Sequence, residues 1–120
     1  MAQKIAASIS VAKESIFVEN CIAALQQSPL LVMFACFDNV RRAENGHIPL
    51  PQEGDRFLGN HVVAVYGYSR EQRVFYFSNS YGKEWGENGN GTLPFDYFSK
   101  KEWVPEVISM TININPPKQA

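Results

Sequence analysis

Two polar residues interrupt runs that are otherwise apolar and β-type: His61 opens "HVVAVYGY" and Asn79 follows "RVFYFS". Histidine is the side chain whose proton affinity suits acid–base work near neutrality. An asparagine side-chain carbonyl can accept a hydrogen bond from the imidazole N–H, fixing its tautomer and ring plane. If the two runs form an antiparallel hairpin around "SREQ", with its centre near Arg70, His61 and Asn79 meet at one end of it. That is the base-and-orienter part of a nucleophilic triad. The rival reading of the same residues is a strand-end histidine and an asparagine that forms a turn. The stretch from Asn79 to Gly91, "NSYGKEWGENGNG", adds the aromatics Tyr81 and Trp85 to an excess of turn residues. A hairpin needs only two such residues. The surplus suggests a loop built to hold particular side chains.

The nucleophile is harder to place. Cys21 falls on the apolar face of a predicted helix, and Cys36 lies inside "LLVMFACF". Thiols in such places are inert core groups with pKa values raised by burial. A Cys21–Cys36 disulfide requires an oxidising compartment. His47, His61 and the cysteines have no recognisable metal-ligand spacing, so neither a metal nor another cofactor is expected.

The elements that must hold these residues follow from pattern. "KESIFVENCIAALQQ" places Ile16 or Phe17, Val18, Cys21, Ala24 and Leu25 on one helical face, with Ser15 as cap and Pro29 as stop. "LLVMFACF" is an unbroken apolar run that reads as a strand buried on both faces. A polar, Gly/Pro-punctuated loop is expected from Asp38 to Gly59, long enough to suggest function. Two paired strands, the Asn/Gly-rich loop, "GTLP", a short turn or helix around "FDYFSK", a final strand "EVISMTINI" and a frayed tail complete the chain. "NGT" at Asn90 to Thr92 is a glycosylation sequon that here is expected to make the turn. "RRAE" at Arg41 to Glu44 reads as a solvated loop. The fold class is α+β, mostly β, with one main helix and a single domain over residues 1–120.

Composition narrows the function classes. With 45% hydrophobic residues the chain can build a core, and its net charge of −1 gives no electrostatic footprint for nucleic acid or an anionic membrane. No apolar run approaches a membrane span, and residues Met1 to Lys13 lack the pattern of a signal peptide. The default expectation is a cytoplasmic protein.

The segments "GNHVVAVYGY" and "VFYFSNSYGKEWGENGNGTLPFDYF" resemble the His and Asn segments of papain-like cysteine peptidases. His61 falls on the catalytic histidine and Asn79 on its orienting asparagine. Gly67 and Tyr68 match the strand end, Ser80 and Gly82 the turn after the asparagine, and Trp85, Gly86 and Gly89 the loop beyond. "GHIPLP" and "LPFDYF" are closest to the prokaryote-like branch, and the likeness runs from about residue 14 to 110. It implies an antiparallel half-barrel sheet, the C-terminal half of the papain-like fold. By the same resemblance, the backbone of Asn60 lines the substrate cleft and Trp85 walls its leaving-group side. Tyr81 shields the His/Asn pair, and Val62, in place of a smaller residue, narrows any pocket beside His61.

The family's nucleophilic cysteine and oxyanion-hole glutamine match nothing in "MAQKIAASISVAKES". The resemblance therefore implies a His/Asn-bearing half whose peptide or protein substrate is cleaved only with a complementary cysteine-bearing half. The alternative is a non-catalytic pseudo-peptidase module that binds a peptide or protein partner. In either case apolar surface is left to find a cover, by a partner or by self-association. It is expected on the Phe17 to Leu25 helix and on the aromatics near Tyr81 and Trp85.

Overall fold

The computed structural model describes residues 15–78, 86 and 89–109. Helix α1 (Ile16–Leu25) starts where Ser15 leaves extended backbone and its hydroxyl oxygen accepts the Val18 N–H at 3.1 Å. That cap satisfies one of the donors that every helix start leaves orphaned. The helix then buries Val18, Cys21 and Ile22 and packs Phe17, Ala24 and Leu25 against the same core. Ile16 stays outside, 79% exposed. Of the two residues that could open the apolar face, Phe17 is the one used, its ring 5.5 Å from that of Phe98.

Strand β1 (Leu30–Phe37) covers the expected apolar run. It is followed by a 3₁₀ turn (Asp38–Arg42) and a loop, then β2 (Phe57–Ser69) and β3 (Val74–Ser78). β4 (Asn90–Pro94), a second 3₁₀ turn (Phe95–Ser99) and β5 (Glu106–Ser109) complete the described chain. The five strands form one antiparallel sheet in the order β4-β3-β2-β1-β5. Among the described residues the sheet is open and the architecture mostly β with one helix laid on it, in line with the α+β expectation.

The sheet has two unlike faces. Leu30, Val32, Phe34, Val63, Val65, Phe75, Phe77 and Leu93 are buried with the helix, Phe95, Tyr97, Phe98 and Val104. Leu31 and Met33, on the opposite side of β1, are only half-buried. The expectation that β1 is buried on both faces is therefore corrected. Although β1 is flanked by β2 and β5, α1 and the aromatics of the second 3₁₀ turn join the core on one face only. The helix face expected to lie open is likewise consumed by this core.

Three further expectations change. β2 begins at Phe57, four residues before His61, because β1 runs on to Phe37 and pairs it with Phe57 across a bulge. Gly59, at φ 133°, lies inside that strand, so the loop shortens to residues 38–56. The hairpin centre also moves. A centre at Arg70 would set Ser78 opposite Val62, whereas Ser78 lies opposite Ala64. The turn occupies Arg70 to Arg73, with Arg73 left-handed at φ 58°, and a bulge at Tyr66 adds one residue to β2. Finally, "NGT" opens β4 rather than making a turn, and Thr92 is 6% exposed.

The loop between β1 and β2 is held at both ends. Arg56 pairs with Asp38, and Arg42 grips Asp55 through two N–H···O contacts of 3.0 and 2.9 Å. Its middle docks on β4, where Ile48 N–H donates to the Thr92 carbonyl and Thr92 N–H to the Gly46 carbonyl. Gly46 (φ 84°) and Gly86 (φ 58°) both lie against the backbone of Asn90, and a Cβ on either would collide with its carbonyl oxygen. Only glycine permits that approach.

Candidate functional site

His61 stands in β2, directly opposite Phe34 of β1. It shares the face of Val63 and Val65, both buried, and is itself half-buried where that face reaches the loop end of the sheet. The position follows from the period-2 alternation of "HVVAV", which sends residues 61, 63 and 65 one way and Val62 and Ala64 the other. Its imidazole meets the Phe34 ring nearly perpendicular, centroids 5.9 Å apart. Phe34 in turn packs against Phe77 and Tyr97.

Val62, 44% exposed, lies opposite Met33 on the far face. With Leu31, Met33, Glu106 and Ile108 it lines a shallow, mostly apolar groove of about 250 Å³. Asn60 is exposed and pairs with Ala35. Three of the expected site residues, Asn79, Tyr81 and Trp85, lie outside the described residues. The site residues brought together are therefore Asn60, His61 and Val62 on one strand, with a groove beside the last.

Neither cysteine fits a nucleophile. Cys21 is 4% exposed on α1 and Cys36 is half-buried at the end of β1. Burial pushes each thiol up to about 11, so at neutral pH both are protonated. Among the described residues no group of three or more His, Cys, Asp or Glu could hold a metal ion. His47 is engaged elsewhere, its Nδ1 2.8 Å from the Thr92 hydroxyl. Among the described residues no helix is long and apolar enough to cross a membrane.

A fully buried polar pair near the site escapes sequence reading. Asn39 Nδ2 donates to the Pro49 carbonyl at 2.7 Å and to the Tyr97 hydroxyl at 3.1 Å, while its Oδ1 accepts the Phe37 N–H at 2.9 Å. The Tyr97 hydroxyl donates to the carbonyl of Ala35. Burial pushes the Tyr97 phenol up to about 12, against the lowering hydrogen bond from Asn39, so it stays protonated. The only local signal is "DN" after a strand, which reads as turn chemistry. The partner lies 58 residues away.

No protein-family profile matches the chain. It is 23% identical over 119 aligned residues to an uncharacterized peptidase C1-like protein of Acanthamoeba polyphaga mimivirus, with 78% of this chain and 38% of that one covered. Among solved structures it resembles xylellain, a cysteine protease from Xylella fastidiosa. The TM-score is 0.65 at 31% identity, over 71% of this chain and 33% of that one. The chain thus spans about a third of the length of the proteins it matches. Both likenesses support a papain-like family.

Proposed function

We propose that the chain is the C-terminal, His/Asn-bearing half of a papain-like cysteine peptidase of the prokaryote-like branch. The observation that carries this reading is His61 itself, fixed in β2 within the segment that resembles the family's histidine strand, in a sheet that resembles a cysteine protease. In this reading His61 takes the proton of a thiol supplied by a cysteine-bearing half. The resulting thiolate attacks a peptide carbonyl, and the imidazolium returns its proton to the leaving amine. Water then releases the acyl group with His61 again as base. Asn79 holds the ring, Tyr81 shields that pair, the Asn60 backbone lines the cleft, and Trp85 walls the leaving-group side. The groove beside Val62 suits an apolar substrate side chain, with Glu106 at its rim.

Mixing the chain with the cysteine-bearing half of a papain-like peptidase tests this reading. Hydrolysis of a fluorogenic peptide is expected from the mixture and not from either part. It should fall by a factor on the order of 10⁴ to 10⁶ with His61→Ala, the range seen when triad members are removed. A mixture whose activity is indifferent to His61 contradicts the proposal.

A second reading, a non-catalytic module that binds a peptide or protein, draws on one observation. Both thiols of the chain are withdrawn into or against the core. That reading keeps the groove and the exposed β2 side chains for binding. It gains if a peptide binds the chain and His61→Ala leaves the affinity unchanged.

A further inference from the structure

The ring of Phe34 is 1% exposed and lies across from His61 in the β1–β2 register, the two rings at 77°. It has little freedom to move. Tyr97 stands perpendicular to it at 5.6 Å, and Phe77 closes another side at 6.3 Å. Tyr97 is itself pinned, because its hydroxyl donates to the carbonyl of Ala35, the residue after Phe34, and accepts from Asn39. Asn39 ties that hydroxyl to the Phe37 N–H and the Pro49 carbonyl, on either side of the loop's start. The loop and β1 therefore converge on the hydroxyl of Tyr97 in the second 3₁₀ turn, and the Tyr97 ring backs the Phe34 ring that bears on the imidazole.

We propose that Phe34 is a positioning residue for His61, its ring backed by Tyr97 and holding the imidazole in one rotamer. The inference rests on the reading of His61 as a base. It goes beyond that reading by placing part of the orienting work in the sheet, in addition to the hydrogen bond expected from Asn79. The physical warrant is that perpendicular aromatic pairs are favoured beyond their buried area, because ring edges and faces carry opposite partial charge. A β-branched or aliphatic neighbour would supply bulk without that angular preference.

The test uses the full chain, isotopically labelled and studied by NMR. The wild type should show one His61 side-chain conformation, with ring contacts to Phe34. Phe34→Leu, which stays apolar, should lower the ratio of that rotamer to its alternatives about two- to tenfold, the size expected for an aromatic pair. Signals of His47, which pairs with Thr92, should not move. A merely structural role for Phe34 would lower thermal stability without redistributing the His61 rotamers. If Phe34→Leu does not fold, Phe34→Met and the wild-type ring contacts still decide. Several rotamers of His61 in the wild type, or an unchanged distribution in a folded variant, would overturn the proposal. Neither readout involves hydrolysis, so failure of the peptidase reading is told apart from failure of this one.

Discussion

The two faces of the sheet are built from the same strands and have opposite fates. On one, Phe34, Phe75 and Phe77 are sealed by α1 and by Phe95, Tyr97 and Phe98, with ring centroids 4.8 to 6.3 Å apart. On the other, Leu31 and Met33 of β1 are half-buried, Val62 is 44% exposed, and Tyr66, 52% exposed, stacks on Tyr76 at 6.4 Å. Among the described residues nothing covers this second face. The difference teaches where each kind of energy resides. The first face pays the entropy of folding through burial. The second contributes little to the fold of the isolated chain. His61 sits half-buried at the edge of the first face, so the proposed base stands in the well-packed half of the comparison.

Truncating the sealed face should give the largest effect. Phe75→Ala removes a fully buried ring packed on both Phe95 and Phe98 and is expected to cost ~3–5 kcal/mol in urea unfolding. Tyr66→Ser on the open face should change stability by no more than ~0.5 kcal/mol, as for surface positions generally. Equal costs would erase the distinction between the faces.

Next comes the buried polar tie that joins the loop to the sealed face. Asn39→Ala leaves the Phe37 N–H and the Pro49 carbonyl without their partner, at about 1–3 kcal/mol for each group left unsatisfied. Amide exchange should rise first in residues 38–56. Uniform exchange across the chain would show that Asn39 is not a loop anchor.

The open face is expected to show itself in association rather than in stability. The chain alone should self-associate, and Val62→Lys together with Tyr66→Lys should shift it toward monomer in light scattering. Apolar patches above a few hundred Å² seldom stay uncovered on soluble monomers. A wild type that is monodisperse and monomeric at high concentration would favour the pseudo-peptidase reading, in which the chain binds only its peptide or protein ligand.

The smallest effect concerns the ion pair that links α1 to the hairpin turn. Arg70 grips both oxygens of Glu19 at 2.9 and 3.0 Å, and this hydrogen bonding holds the Glu19 carboxyl below its usual range. A depressed folded-state pKa means that the contribution is fully present above the ordinary glutamate range and fades as pH falls through the folded value. Both side chains are substantially exposed, so a double-mutant cycle at neutral pH should give only ~0.2–1 kcal/mol. A coupling that grew on acidification would contradict the assignment.

Sequence reading reached the elements and missed their mutual geometry, for reasons that particular residues make plain. The Ser15 cap and the span of β1 are local signals, and both are found. The antiparallel pairing of the two strands that follow the long loop is found, with the register displaced by two residues. The error came from the turn, which closes at Arg70 to Arg73 with Arg73 left-handed; the bulge at Tyr66 takes back one residue of it. One-sided burial of β1 was illegible because an apolar run does not say how many faces are covered. Asn39 was illegible because its partner, Tyr97, is distant in sequence and unremarkable in type. Phe34 reads as one more apolar residue until register sets it beside His61.

Whether His61 is a base oriented by Asn79 is decided by a high-resolution crystal structure of the chain. A His61 ring nitrogen within ~3.2 Å of the Asn79 side chain is expected, with some slack in an unliganded site. His61 and Asn79 at different ends of the sheet would contradict it.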